Sequence, residues 1–161
     1  MQISIRKYKK EDRAAVIRLL ESLKDFITSI DLWETDDRKP GYGSAALGDI
    51  LKKRGVIYIA QTKDGKIVGF SAAAVLKRDR LTKLASKSGM KSGEVTDLYV
   101  DSSNRRDNIG SKLMAKAESY LKEQGCTHIE VGMFWPNKGA HKFYKDMGYD
   151  LYNATYIKRV Y

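Results

Sequence analysis

Between Leu98 and Leu113 the chain changes character twice. Leu98-Tyr99-Val100 has the aromatic and β-branched content of a strand. It breaks into Asp101-Ser102-Ser103-Asn104-Arg105-Arg106-Asp107-Asn108, a polar, turn-rich run, and resumes at Ile109 with helical spacing. A strand that feeds a helix in this way is half of a crossover unit, whose second strand lies beside the first. The chain supplies the rest. Leu113, Met114, Ala117, Tyr120 and Leu121 form the apolar face of a helix from Ile109 to Gln124, Gly125 ends it, and Thr127 to Phe134 reads as the next strand.

The front half follows another rule. Gln2 to Tyr8 alternates as a half-buried strand, and Glu11 to Ile30 spaces Val16, Leu19, Leu20, Leu23, Phe26 and Ile27 as a helix. Asp31 to Gly43 reads as loop, and Ser44 to Lys53 as a short helix ended by Gly55. Val56 to Gln61 and Lys66 to Leu76 flank Asp64-Gly65, a hairpin signal. Lys77 to Ser92 is a basic connection, and Gly93 to Val100 is the fourth strand. Asn137 to Met147 is a helix ended by Gly148, and Tyr149 to Val160 reads as a last strand. The expected fold class is therefore α/β: a mixed, mostly antiparallel central sheet flanked by helices, in the order β-α-α-β-β-β-α-β-α-β.

The 161 residues show no linker or repeat, so a single domain over 1–161 is expected. Hydrophobic residues make up 42% and charged residues 31%, which excludes a disordered chain. No apolar run is long enough to span a membrane, and the N-terminus lacks a signal-like core. With Cys126 alone no intrachain disulfide can form, and a cytoplasmic location is expected. The net charge of +10 favours polyanions or phosphorylated ligands, or simply keeps the surface soluble.

The loop after the fourth strand has the chemistry of an anion site. The first N–H groups of a helix lack intrahelical partners, and the helix dipole adds positive potential. Gly110 permits close approach to the backbone, Asn108 tolerates positive φ, and Arg105 and Arg106 add charge. The plainer alternative is an ordinary connection with Asp107 or Asn108 as N-cap.

Arg105-Arg106-Asp107-Asn108-Ile109-Gly110 resembles motif A of the GNAT superfamily of N-acetyltransferases, Q/R-x-x-G-x-G/A, with Asn108 replacing the middle glycine. Asn137-Lys138-Gly139-Ala140-His141-Lys142-Phe143-Tyr144-Lys145-Asp146-Met147-Gly148-Tyr149 resembles motif B, N-x-x-A-x-x-F-Y-x-x-x-G-F/Y, at every position. The resemblance implies an N-acetyltransferase that moves acetyl from acetyl-CoA to a primary amine, either a small amine or polyamine or a protein amino group. It implies a coenzyme site made by Leu98, Tyr99 and Val100, by Arg105, Arg106, Asp107, Asn108, Ile109, Gly110 and Ser111, and by Asn137 and Tyr144. Tyr144 would protonate the leaving thiolate; without the resemblance it reads as a core aromatic.

For the base, Glu94 keeps the spacing from motif A at which histone-type members place their glutamate, and Asp97 and an ordered water are the other candidates. The two carboxylates lie an odd number of residues apart, so a regular strand puts them on opposite faces unless a bulge intervenes. For the acceptor, Asp31, Trp33 and Glu34 offer carboxylates beside an aromatic, which suits a cationic amine. Lys77, Arg78, Arg80, Lys83, Lys87 and Lys91 pull the other way, toward an acidic partner. His128, His141 and Cys126 lack metal-ligand spacing, so no metal is expected. Nucleic acid and membrane are not expected as partners, and the resemblance allows a homodimer. The competing reading is a non-catalytic acyl-CoA-binding regulatory module on the same fold.

Overall fold

The computed structural model describes residues 2–31, 33, 39–77, 91–105, 107–158 and 160. The strands are β1 (Ile3–Lys7), β2 (Val56–Thr62), β3 (Ile67–Val75), β4 (Ser92–Val100) and β5 (His128–Val131). The helices are α1 (Arg13–Ile30), α2 (Tyr42–Lys52), α3 (Ile109–Glu123) and α4 (Lys138–Asp146). The strands form one sheet in the order β1-β2-β3-β4-β5. The first four pair antiparallel, and β5 joins β4 in parallel, as a crossover through α3 requires. This is the mixed, mostly antiparallel sheet that the sequence pattern implies.

Helices cover both faces. Val16, Leu19, Leu20 and Leu47 of α1 and α2 pack on Ile57, Ile59, Phe70, Ala72 and Tyr99. On the other face Met114, Ala117 and Leu121 of α3 meet Ala73, Val95 and Cys126, and Ile109 and Leu113 meet Ala60 and Val68. Hence β3, in the middle, is buried from Ile67 to Ala74 and reads as a continuous apolar run. Asp12 ties β1 to α1. Its carboxylate takes Arg6 Nη1 at 2.7 Å and Nη2 at 2.9 Å, and also accepts the Lys9 N–H at 2.7 Å.

Four local expectations need correction. Residues 149–158 form no strand, because their backbone pairs with no sheet edge. The strand expected from Thr127 to Phe134 stops at Val131. Helix α2 starts at Tyr42 and includes Gly43, because α1 and α2 touch there; a Cβ on Gly43 would lie 2.8 Å from the Ile17 carbonyl oxygen. Gly55 does not turn the chain after α2, since Arg54 takes the left-handed conformation at φ +53. Gly55 is needed for space instead, because a Cβ there would sit 1.9 Å from the Ala73 carbonyl oxygen.

Candidate functional site

The site starts from a register shift. Ala72 pairs with Asp97, and its neighbour Ala73 pairs with Val95, so Thr96 is an extra residue in β4. Ala74 pairs with Glu94. Directly paired residues share a face, so Glu94 and Asp97 both lie on the α1–α2 side with Ala72 and Ala74. The bulge thus brings together the two carboxylates that a regular strand would separate.

The parallel pairing of β4 with β5 runs from Ser92↔His128 to Val95↔Val131 and stops. From Thr96 onward the side of β4 that faced β5 is open, so the strands part where the bulge bends β4. Backbone groups alternate sides along a strand. The Asp101 N–H is bonded to the Val68 carbonyl at 2.8 Å on the β3 side, so the N–H groups of Leu98 and Val100 face the open side. Tyr99 points into the α1–α2 core.

Above this opening, the loop after β4 is held by its own side chains. Arg105 Nε donates to the Val100 carbonyl at 3.0 Å, and its guanidinium lies over the rings of Phe26 at 5.2 Å and Tyr99 at 5.7 Å. Arg18 bonds the Ile67 carbonyl at 2.9 Å and faces Asp101 at 3.7 Å. Arg105 therefore braces the strand end as well as adding charge. Asp107 and Asn108 lead into α3, and Asn108 is left-handed at φ +54. The Asn108 side chain makes no cap bond to α3. The Lys112 N–H donates to the Asn108 carbonyl at 3.0 Å. Ile109, Gly110 and Ser111 form the first turn of α3, where a helix offers its own N–H groups no intrahelical acceptor. A Cβ on Gly110 would meet only the Phe143 ring, at 3.5 Å, so internal packing does not demand glycine there.

Helix α4 closes the other wall. Asn137 Oδ1 accepts the Ala140 N–H at 3.0 Å, as an N-cap. Tyr144 sits edge-on to Phe143 and to Tyr149, with ring centroids 5.4 and 6.0 Å away. Burial, and then the charge of Asp97, raise the Tyr144 hydroxyl to about 12. Burial also holds the Asp97 carboxyl above the usual range. The Thr96 hydroxyl and the Lys53 ammonium oppose that rise, and Glu94 adds to it. Lys53 reaches Glu94 Oε2 at 3.4 Å. Asp97 is thus electrostatically coupled to Tyr144 on one side and to Glu94 and Lys53 on the other.

Sequence reasoning missed Lys53 and Thr96. Lys53 meets a partner 41 residues away, and nothing in the sequence marks a bulge. A cavity of about 290 Å³ opens at the foot of the sheet on this side, lined in part by Lys7, Tyr8, Lys53, Ala74 and Thr96. Asp31, expected to face an acceptor, accepts the backbone N–H of Trp33 at 2.9 Å and so braces its own loop. Among the described residues no hydrogen bond joins Asp31 to Glu94 or Asp97. Glu34, Arg106 and the basic residues Arg78, Arg80, Lys83 and Lys87 lie outside the described residues. His128 bonds Thr127, and His141 stacks edge-on to Trp135. Among the described residues no helix is long and apolar enough to cross a membrane.

Known proteins share this fold. A tetramutant of the BH1408 protein from Bacillus halodurans superimposes with a TM-score of 0.81 at 19% identity, over 98% of this chain and 99% of that one. AAC(6')-Iy, in complex with the bisubstrate analogue CoA-S-monomethyl-acetylneamine, superimposes with a TM-score of 0.69 at 17% identity, over 100% and 99% of the two chains. At such identities the likeness is one of fold. An uncharacterized N-acetyltransferase of Methanocaldococcus jannaschii is 37% identical over 57 residues, 35% of this chain and about a quarter (25%) of that protein's length. The model of the acetyltransferase (GNAT) family matches residues 18–149, which takes in β2 to β5, most of α1, the other three helices and both walls of the opening. The chain belongs to the GNAT family of acetyltransferases.

Proposed function

We propose that the chain is an N-acetyltransferase that moves acetyl from acetyl-CoA to a primary amine by direct attack. The observation that carries this reading is the open side of β4 beyond Val95, set between a helix terminus that its own asparagine does not cap and the half-buried Tyr144. The N–H groups of Ile109, Gly110 and Ser111 suit the pyrophosphate, with Arg105, Arg106, Asp107 and Asn108 shaping the loop around it. The outward N–H groups of Leu98 and Val100, with Tyr99 fixing the strand, suit the pantetheine arm and the thioester oxygen, as fixed dipoles aimed at developing charge. Asn137 holds α4 in place beside them.

An ammonium cannot attack, so its proton must leave first. Asp97 is the better-placed base, since a carboxyl with a raised pKa is a stronger acceptor. Glu94 relays or orients from the same face. Tyr144, at about 12 against about 8.5 for a thiol, is too weak an acid to give its proton to a thiolate outright. Part of that weakness comes from the charge on Asp97. When Asp97 takes the amine's proton its charge disappears, and the Tyr144 hydroxyl becomes a better donor as the thiolate leaves. The two proton events are thereby coupled.

The acceptor enters from the foot of the sheet, past Lys53. Lys7 and Lys53 on that wall disfavour a polycation, which moves the acceptor away from polyamines and toward monoamines or amines bearing an anionic group. Thermal stabilisation by acetyl-CoA, together with thiol release across a panel of amines, amino acids, peptides and proteins, tests the reading. Stabilisation without turnover on any acceptor would favour the regulatory module; absence of stabilisation would overturn both.

A further inference from the structure

The cavity at the foot of the sheet owes its room to small side chains. Ala72 and Ala74 of β3 lie on the α1–α2 side, as do Asp97 and Glu94, their partners in β4. Both alanines are buried and both line the cavity. A longer side chain at either position would fill it. The end of β1 and the end of α2 bring Lys7 and Lys53 to the same space of about 290 Å³. That volume lies at the small end of ligand sites and suits a small molecule.

Charge is sorted across this region. β4 contributes two carboxylates, Glu94 and Asp97, and the cavity lining contributes two ammonium groups, Lys7 and Lys53. Lys53 reaches Glu94 Oε2 at 3.4 Å, but the two side chains are 48% and 33% exposed, and an exposed pair is weak. Lys53 is therefore able to turn to another anion. None of the ion pairs among the described residues engages Lys7. The strand register supplies a spacing. Asp97 lies opposite Ala72 and Glu94 opposite Ala74, two residues along β3, which is a rise of roughly 7 Å. An amine at Asp97 and an anion at Lys53, beside Glu94, would stand several bonds apart in one molecule.

Resting on the N-acetyltransferase reading above, we infer that the acceptor is a small amine that also carries an anionic group, carboxylate or phosphate, several bonds from its nitrogen, and that Lys53 and Lys7 receive that group. The anionic group takes no part in the bond changes. It fixes where the amine sits, with the nitrogen toward Asp97. A neutral amine would leave both lysines unused, and a diamine would meet their repulsion.

Thiol release at saturating acetyl-CoA tests this on four amines of similar length: γ-aminobutyrate, O-phosphoethanolamine, butylamine and diaminobutane. The kcat/KM of at least one anionic amine should exceed that of butylamine by about 100-fold, with diaminobutane lowest. The better of the two anionic amines tells a carboxylate acceptor from a phosphate. Lys53→Met and Lys7→Met should each cut the ratio of anionic to neutral amine about tenfold, mainly through KM, and Lys53→Glu should shift preference toward diaminobutane. A ratio of two substrates is insensitive to a general loss of folding or of coenzyme binding, so a weakened variant still reports. Equal kcat/KM for the anionic amines and butylamine, a ratio unmoved by both methionine variants, or turnover of other amines with none of these four overturns the inference and leaves the acetyltransferase reading standing. Turnover of no amine at all overturns both.

Discussion

Helices α3 and α4 both start from an asparagine, and they use it in opposite ways. Asn137 keeps φ at −76 and turns its side chain inward to cap Ala140. Asn108 flips to φ +54, and its side chain caps nothing. A missing N-cap bond typically costs about 1 kcal/mol. The fold accepts that cost at α3, where the proposed pyrophosphate would supply the acceptor, and avoids it at α4, which carries Tyr144. On the proposed function, one terminus receives the coenzyme and the other positions a side chain. Residue type alone does not tell them apart; the backbone conformation does.

The strongest way to break this contrast is to fill the open terminus from within. Gly110→Asp places a carboxylate where the pyrophosphate would lie. Acetyl-CoA affinity by calorimetric titration should fall about 100-fold, or about 2.7 kcal/mol. Melting of the free protein should hold or rise, since an acid in the first turn stabilises by roughly 0.3–1 kcal/mol. Retained affinity would show that α3 is merely uncapped.

Asp97→Asn should lower kcat by about 100-fold while leaving acetyl-CoA affinity intact. Its stability effect has a definite sign. A carboxyl whose pKa is raised by folding favours the folded state below its unfolded value, and that advantage is lost as pH rises through the raised value. Above that raised value the charged form of the half-buried Asp97 is a burden, so there Asp97→Asn should melt at or above the parent. At pH 3 the gap should close. A variant that melts lower above the raised value would make Asp97 structural.

Tyr144→Phe should reduce kcat roughly tenfold and leave the melting temperature nearly unchanged. Acyl donors whose thiols are more acidic should narrow the gap, because their thiolates leave without help. A uniform loss across donors would restrict Tyr144 to packing. Asn137→Ala should lower stability in urea by about 1 kcal/mol. The parallel change Asn108→Gly should alter stability by no more than about 0.5 kcal/mol, because the asparagine already holds a left-handed backbone. Equal losses at the two asparagines would erase the distinction between the termini.

Features fixed by a few neighbouring residues were legible in the sequence. The Asp64-Gly65 hairpin forms with Gly65 at φ +90, Gly148 ends α4 at φ +86, and Asn108 takes positive φ. The apolar faces of α1 and α3 follow their spacing because one period decides which side is buried. What stayed hidden depends on partners far along the chain. The Thr96 bulge exists only in the register of β3 against β4, and Lys53 finds Glu94 only after α2 docks. The last strand was misread for a related reason. A strand pattern states that a segment suits a ladder, and it does not name the sheet that supplies one. In the loop expected to meet the acceptor, the carboxylates are visible in the sequence, and what the sequence does not show is that Asp31 accepts the Trp33 N–H within its own turn.

Thr96 makes the opening in β4 a matter of residue count more than of residue type. Its hydroxyl makes a long hydrogen bond to the Ala72 carbonyl at 3.4 Å and eases the charge on Asp97, which other small polar residues could also do. Its presence as an additional unit is another matter. Without it, Val95 and Asp97 would become neighbours in a regular ladder, still opposite Ala73 and Ala72, and both carboxylates would keep their face. The bend would go, and β5 would be free to continue along β4 past Val131. A one-residue deletion would then leave every functional side chain in place and close the gap between the strands, as though a zip had lost its stop.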